Sequence, residues 1–297
     1  MTLGMLFWTV LVPLGVATGV CALFGVLFWG RAGGVPRAVP AVAMACTLLV
    51  GLRALMGQPE WTPALAEGWL FHLAVLAGIA GVTLSRSGGV VSVLLPLVGL
   101  GCFVLVVQLG RAATNGDMGV GAIRVLWPVC VVGSIVIPGF VLARADRVSG
   151  ARGLVLAMGI SAGAAAGAIV LCNGIKLAQI EGLLGLGLLP IAVMSWRGKG
   201  PSLAGAAVVF SAVHGAVWWL TYFYQGDMPI WALLFNISGP ITAALIPIVF
   251  AKLRERPARL AFVQTGAAAC LAAASVACVW ASRAQGDAGE TKPYAGY

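Results

Sequence analysis

Apolar runs long enough to cross a bilayer recur from the first residues nearly to the last, separated by clusters of charge, glycine and proline. A helix needs roughly 20 apolar residues to span hydrocarbon, and only helices or closed barrels can satisfy their backbone there. Cutting at the clusters gives ten spans: 3–30, 38–56, 69–84, 90–110, 125–142, 154–174, 182–196, 203–224, 230–250 and 260–280. The seventh is the shortest, and nine spans is the alternative count. The sequence therefore predicts an all-α integral membrane protein, a polytopic bundle of about ten transmembrane helices. One membrane domain, 1–281, is followed by a small polar tail, 282–297, expected to be flexible.

Composition agrees, since 61% of the residues are hydrophobic and only 9% charged, against roughly a quarter charged in a soluble domain. The formal charge of +9 comes from 18 Lys and Arg against 9 Asp and Glu. The basic residues stand singly or in short groups between spans, so no nucleic-acid partner is expected; the bilayer is the first partner. Arg31, Arg37, Arg86, Arg144, Arg147, Arg152, Arg197, Lys199, Lys252, Arg254, Arg256 and Arg259 fall in odd-numbered connections. Only Arg111, Arg124, Lys176, Arg283 and Lys292 fall in even ones or the tail. The excess marks the odd connections as cytoplasmic and both termini as non-cytoplasmic, as in a bacterial-type inner or plasma membrane. The first span has no basic residue before it and reads as a retained helix, not a signal peptide.

The seven cysteines form no C-x-x-C pair, so they are expected to pack between helices, not to hold zinc or covalent haem. No Walker loop, dinucleotide fingerprint or hydrolase-like Ser/His/Asp grouping occurs, which argues against an enzyme or a self-energised pump. Two imidazoles, His72 and His214, open a low-ranking route to a b-type haem if both lie at one depth and face each other. No other metal or cofactor is indicated.

The run 206–227 carries His214 and then Trp218, Trp219, Tyr222, Phe223 and Tyr224, aromatics expected at a headgroup interface. Trp218 follows His214 at i+4, on the same helix face. Arg53 ends span two, and Lys176 and Glu181 read as a polar turn or an entrance between spans six and seven. Asn236 lies beside the helix break Ser238-Gly239-Pro240. These residues, Arg53, His72, Lys176, Glu181, His214, Trp218 and Asn236, are the ligand-binding candidates. Gly159, Gly163 and Gly167 repeat every four residues, as do Gly15 with Gly19 and Gly266, Cys270, Ala274 and Cys278; such stripes are expected to pack against other helices.

If the chain is two halves of five spans, 1–150 and 151–281, the odd number per half makes them inverted, and the proline breaks at Pro96 and Pro240 fall in corresponding spans. That pattern points to a small-solute permease with an outward-facing site between spans two, three, eight and nine. The alternative is a non-catalytic structural or accessory subunit of a larger membrane complex, or a homo-oligomer joined through its small-residue faces. A haem-binding electron-transfer subunit ranks third.

Overall fold

The computed structural model describes residues 10–27, 37–86, 89–109, 122–149, 151–196, 202–225 and 228–286, and these residues form helices, turns and no strand. Ten helices follow in order. They are α1 (Val12–Leu27), α2 (Val39–Met56), α3 (Trp69–Arg86), α4 (Val90–Phe103), α5 (Ala122–Ser149), α6 (Ala151–Leu171), α7 (Ile175–Trp196), α8 (Ala204–Gln225), α9 (Ile230–Val249) and α10 (Pro257–Gly286). A π-helical turn, Val104–Gln108, prolongs α4, and nine helices among the described residues are long and apolar enough to cross a membrane. The described part of the first, α1, is shorter.

Several boundaries differ from the sequence reading. Helix α5 runs to Ser149, past residue 142, so Arg144 and Arg147 lie on the helix and not in a connection. Span seven begins at Ile175, not residue 182, because Asn173 takes a left-handed conformation (φ 62°) and ends α6 at once. The amide of Gly174 donates to Ile169 O and that of Asn173 to Val170 O, each at 3.0 Å, the paired closure that lets a new helix start on the next residue. At the other end, α10 runs to Gly286, so the first five residues of the expected tail are helical. Residues 287–297 lie outside the described residues, as do Arg31, Arg111, Arg197, Lys199 and Lys292 from the charge asymmetry.

Connections alternate between the two ends of the bundle. At one end, here the upper, α2 joins α3 and α6 joins α7; at the lower end α5 meets the start of α8. There the carboxylate of Asp146, on α5, accepts 2.8 Å hydrogen bonds from Leu203 N and Ser202 Oγ. A neighbouring helix thus caps α8, whose first amides have no partner of their own. Arg152 at the start of α6 similarly donates through Nε to Ser195 O near the end of α7, at 2.9 Å.

Helix α8 is the axis of the fold. It packs mainly on α3 and α5, then on α2, and also touches α4, α6, α7 and α9; 89% of its spanning window is buried inside the protein. Trp218 and Trp219 are consequently 0% and 1% exposed, which corrects their expected place among lipid headgroups. Trp219 Nε1 donates to Ser134 Oγ of α5 at 2.7 Å, and its ring meets Trp127 edge-on at 5.2 Å. Only Tyr224, at the end of the cluster, is exposed.

Glycine packing also falls elsewhere than predicted. A Cβ on Gly163 or Gly167 would meet nothing within 4 Å, and both residues are exposed. Gly15, Gly19, Gly159 and Gly266 likewise meet nothing. The stripes face away from the rest of the chain because a four-residue interval fixes a face without saying which way it points. The close approach lies between α3 and α8 instead, where a Cβ on Gly81 would sit 2.6 Å from Gly205 O. Cys102, Cys130 and Cys270 also look outward, while Cys21 and Cys172 are buried as expected; none of the seven forms a disulfide.

Candidate functional site

Glu181 is the structure's clearest departure from an inert bundle. Its place follows from the early start of α7, which puts residue 181 within the second turn of a spanning helix and not in a connection. The side chain is 0% exposed, and Oε2 lies 2.9 Å from Nδ1 of His214, itself 3% exposed on α8. With the carboxylate ionised, Nδ1–H donates to it and fixes the imidazole tautomer. An ionised carboxylate removed from water is stabilised by the imidazole beside it, and removing either partner takes that support from the other.

The pair is only partly satisfied. Among the described residues, Glu181 Oε1, His214 Nε2, Trp218 Nε1 and Ser211 Oγ are buried without a hydrogen-bond partner. Ser211, His214 and Trp218 stand at i, i+3 and i+7, on one face of α8, and Glu181 meets that face from α7. Phe210 stacks on the imidazole at 4.7 Å, and Trp218 meets it edge-on at 6.3 Å. The result is a polar cluster with aromatic walls inside the bundle. Sequence reasoning had found His214 and Trp218 together. It missed Ser211, whose spacing of three before His214 was the available signal.

Above the cluster, the connection 57–68 and the upper ends of α2, α3, α7 and α8 enclose two open clefts. One, of about 280 Å³, is lined by Met56, Gln58, Glu60, Glu67, Phe71 and Lys176, among others. The second, of about 270 Å³, is bounded by Ala64, Leu65, Ala66, Glu67, Leu177, Leu220 and Tyr224. Glu67 is common to both, and Lys176 Nζ reaches its Oε1 at 3.4 Å. Lys176 therefore pairs across to the turn before α3 and not with Glu181. Leu177, which lines the second cleft, and Glu181 are four residues apart on the same face of α7, about 6 Å of helix rise.

The other candidates go elsewhere. His72 and His214 each lie nine residues from the Gly81–Gly205 contact between antiparallel helices, so they share a depth. Nine residues are also about two and a half turns, which turns each ring away from that contact. His72 packs instead against Trp69, ring centroids 5.1 Å apart, with its Nδ1 unpartnered, while His214 faces α7. Asn236 is engaged: Ser161 Oγ of α6 donates to Asn236 Oδ1 at 2.8 Å, and Asn236 Nδ2 donates to Ser161 O at 3.2 Å. Arg53 is exposed in the last turn of α2. Among the described residues no group of three His, Cys, Asp or Glu side chains is placed to hold a metal ion. Compared with known proteins, the chain matches no family model, no curated protein and no solved structure.

Proposed function

We propose that this integral membrane protein is a small-solute permease whose site lies between α7 and α8, below the clefts at the upper end. The observation that carries the reading is Glu181, fully buried in a spanning helix and held by His214, with polar atoms to spare on both partners. Ionisable side chains at such positions are costly and typically mark a solute or ion path. Of the ligand-binding candidates in the sequence, the site keeps Glu181, His214 and Trp218, adds Ser211, leaves out Arg53, His72, Lys176 and Asn236, and uses α7 in place of α2, α3 and α9. The charge asymmetry assigns its clefts to the non-cytoplasmic side.

A second reading, an accessory subunit of a membrane complex, is favoured by the outward-facing glycines of α1, α6 and α10, which suit close approach of further helices. Reconstitution separates the two. The purified chain in proteoliposomes is offered radiolabelled amino acids, monocarboxylates, sugars and amines in turn. Saturable uptake of one class, reduced at least tenfold by Glu181→Gln, is the expected result. Failure of every class, with other membrane proteins copurifying stoichiometrically in mild detergent, would transfer the case to the subunit reading.

A further inference from the structure

We infer that Glu181 and His214 together form a proton-binding site that exchanges with the compartment above the clefts, making the proton the coupling ion of the proposed permease. The inference rests on that reading for its role, and on geometry for its chemistry. Across the 2.9 Å contact the pair holds one shared proton when neutral overall, either as carboxylate and imidazolium or as carboxylic acid and imidazole. Loss of that proton leaves carboxylate and neutral imidazole, a net negative charge inside the bundle. Loading runs in reverse: hydronium in the cleft gives up a proton, water stays behind, and the pair becomes neutral.

Among the described residues, no cation is paired with Glu181 to offset the negative state. On α7 the only other charged side chain is Lys176, at the upper end and paired with Glu67. On α8 there are Tyr222 and, in its last turn, Tyr224. The helices packed against them carry Cys21 on α1, Arg53 and Cys46 on α2, His72 and the terminal Arg86 on α3, Cys130 with Arg124, Arg144, Asp146 and Arg147 towards the ends of α5, and Arg152 and Cys172 at the ends of α6. Helices α4 and α9 contribute Cys102, which is exposed, and no charged group. The proton is therefore held until a donor-rich or cationic solute, or water, reaches the free Oε1 and Nε2. By linkage, a solute that favours proton release binds more weakly when the proton is present, by the same factor. That reciprocity is what coupled transport requires.

The route is short. Leu177 and Leu220 line the second cleft; Leu177 stands one turn before Glu181 on α7 and Leu220 six residues after His214 on α8. The unpartnered Ser211 Oγ and Trp218 Nε1 lie on the same face of α8 as the imidazole and offer hydrogen bonds to a solute or a water carrying the proton.

The sequence has two histidines, so ring-labelled histidine in full-length protein carrying His72→Gln leaves His214 as the sole imidazole signal in magnetic resonance. We expect its ring resonances to report proton binding as the pH is varied, and Glu181→Gln to alter the proton affinity so read by about tenfold or more. Ring resonances that do not change with pH, or an affinity that Glu181→Gln leaves in place, overturn the proton site. The native chain supplies a second measurement should a variant fail to fold: the ring signal of His214 and the carboxyl carbon signal of Glu181 should change together as the pH is varied. Solute uptake without His214 titration defeats the proton site and spares the permease; titration without uptake of any solute class does the reverse.

Discussion

Replacing Gly205 by alanine tests the axis of the fold. An added Cβ there meets the carbonyl oxygen of Gly81 across the α3–α8 crossing, and the reciprocal Cβ on Gly81 would lie 2.6 Å from Gly205 O, about 0.8 Å inside the 3.4 Å limit of ordinary contact. Both obstacles are backbone, so no rotamer change relieves them. The helices must separate by most of an ångström, which loosens the contacts that α8 also makes with α2 and α5. Overpacking of this kind costs about 1–3 kcal/mol; at roughly 2–4 °C per kcal/mol for a large domain, the midpoint of thermal unfolding falls by about 2–12 °C. Gly81→Ala should do the same, and the double substitution should cost less than the sum, because one separation accommodates both. Gly163→Leu is the control, being larger but aimed at open space. Intrinsic tryptophan fluorescence during heating in detergent measures all four. If Gly205→Ala melts with the native protein while Gly163→Leu melts early, the arrangement of helices is wrong and the glycine stripe is the buried face after all.

Three further outcomes are expected. His214→Ala strands the Glu181 carboxylate and should destabilise by about 3–5 kcal/mol, whereas His214→Gln retains a donor and should recover more than half of that in the same thermal assay. Asp146→Ala removes the cap of α8 and should cost about 1–2 kcal/mol, with faster hydrogen exchange confined to the first amides of that helix. Asn236→Ala should cost about 0.6–1.7 kcal/mol, and adding Ser161→Ala should add little, since the two side chains share one interaction.

Span number and order were legible because bilayer thickness acts on length and apolarity, which a sequence states openly. Direction within the bundle was not. Trp218 and Trp219 look like headgroup anchors until α8 is known to be surrounded, and the Gly159–Gly163–Gly167 stripe looks like an interface until α6 is known to turn it outward. Glu181 was legible as a polar candidate but not as a buried one: Lys176 and Gln179 made the segment read as a connection, and only the closure at Asn173 shows that a helix has already begun. Half of the site, His214 with Trp218, followed from i+4 spacing. Its partner lay 33 residues away on another helix, a distance that periodicity cannot bridge.

The burial of α8 also bears on how the chain enters the membrane. Of the nine spanning windows that of α8 is the least apolar and the most buried, while that of α4 is the most apolar and among the least buried. Lipid alone holds α4 securely as soon as it leaves the ribosome. Helix α8, with its serine, histidine and threonine, gains less from hydrocarbon and more from α2, α3 and α5, which are synthesised before it. Its insertion is thus completed by a receptacle that the earlier helices have already built, and weakening that receptacle should first appear as a nascent chain that fails to retain its eighth segment.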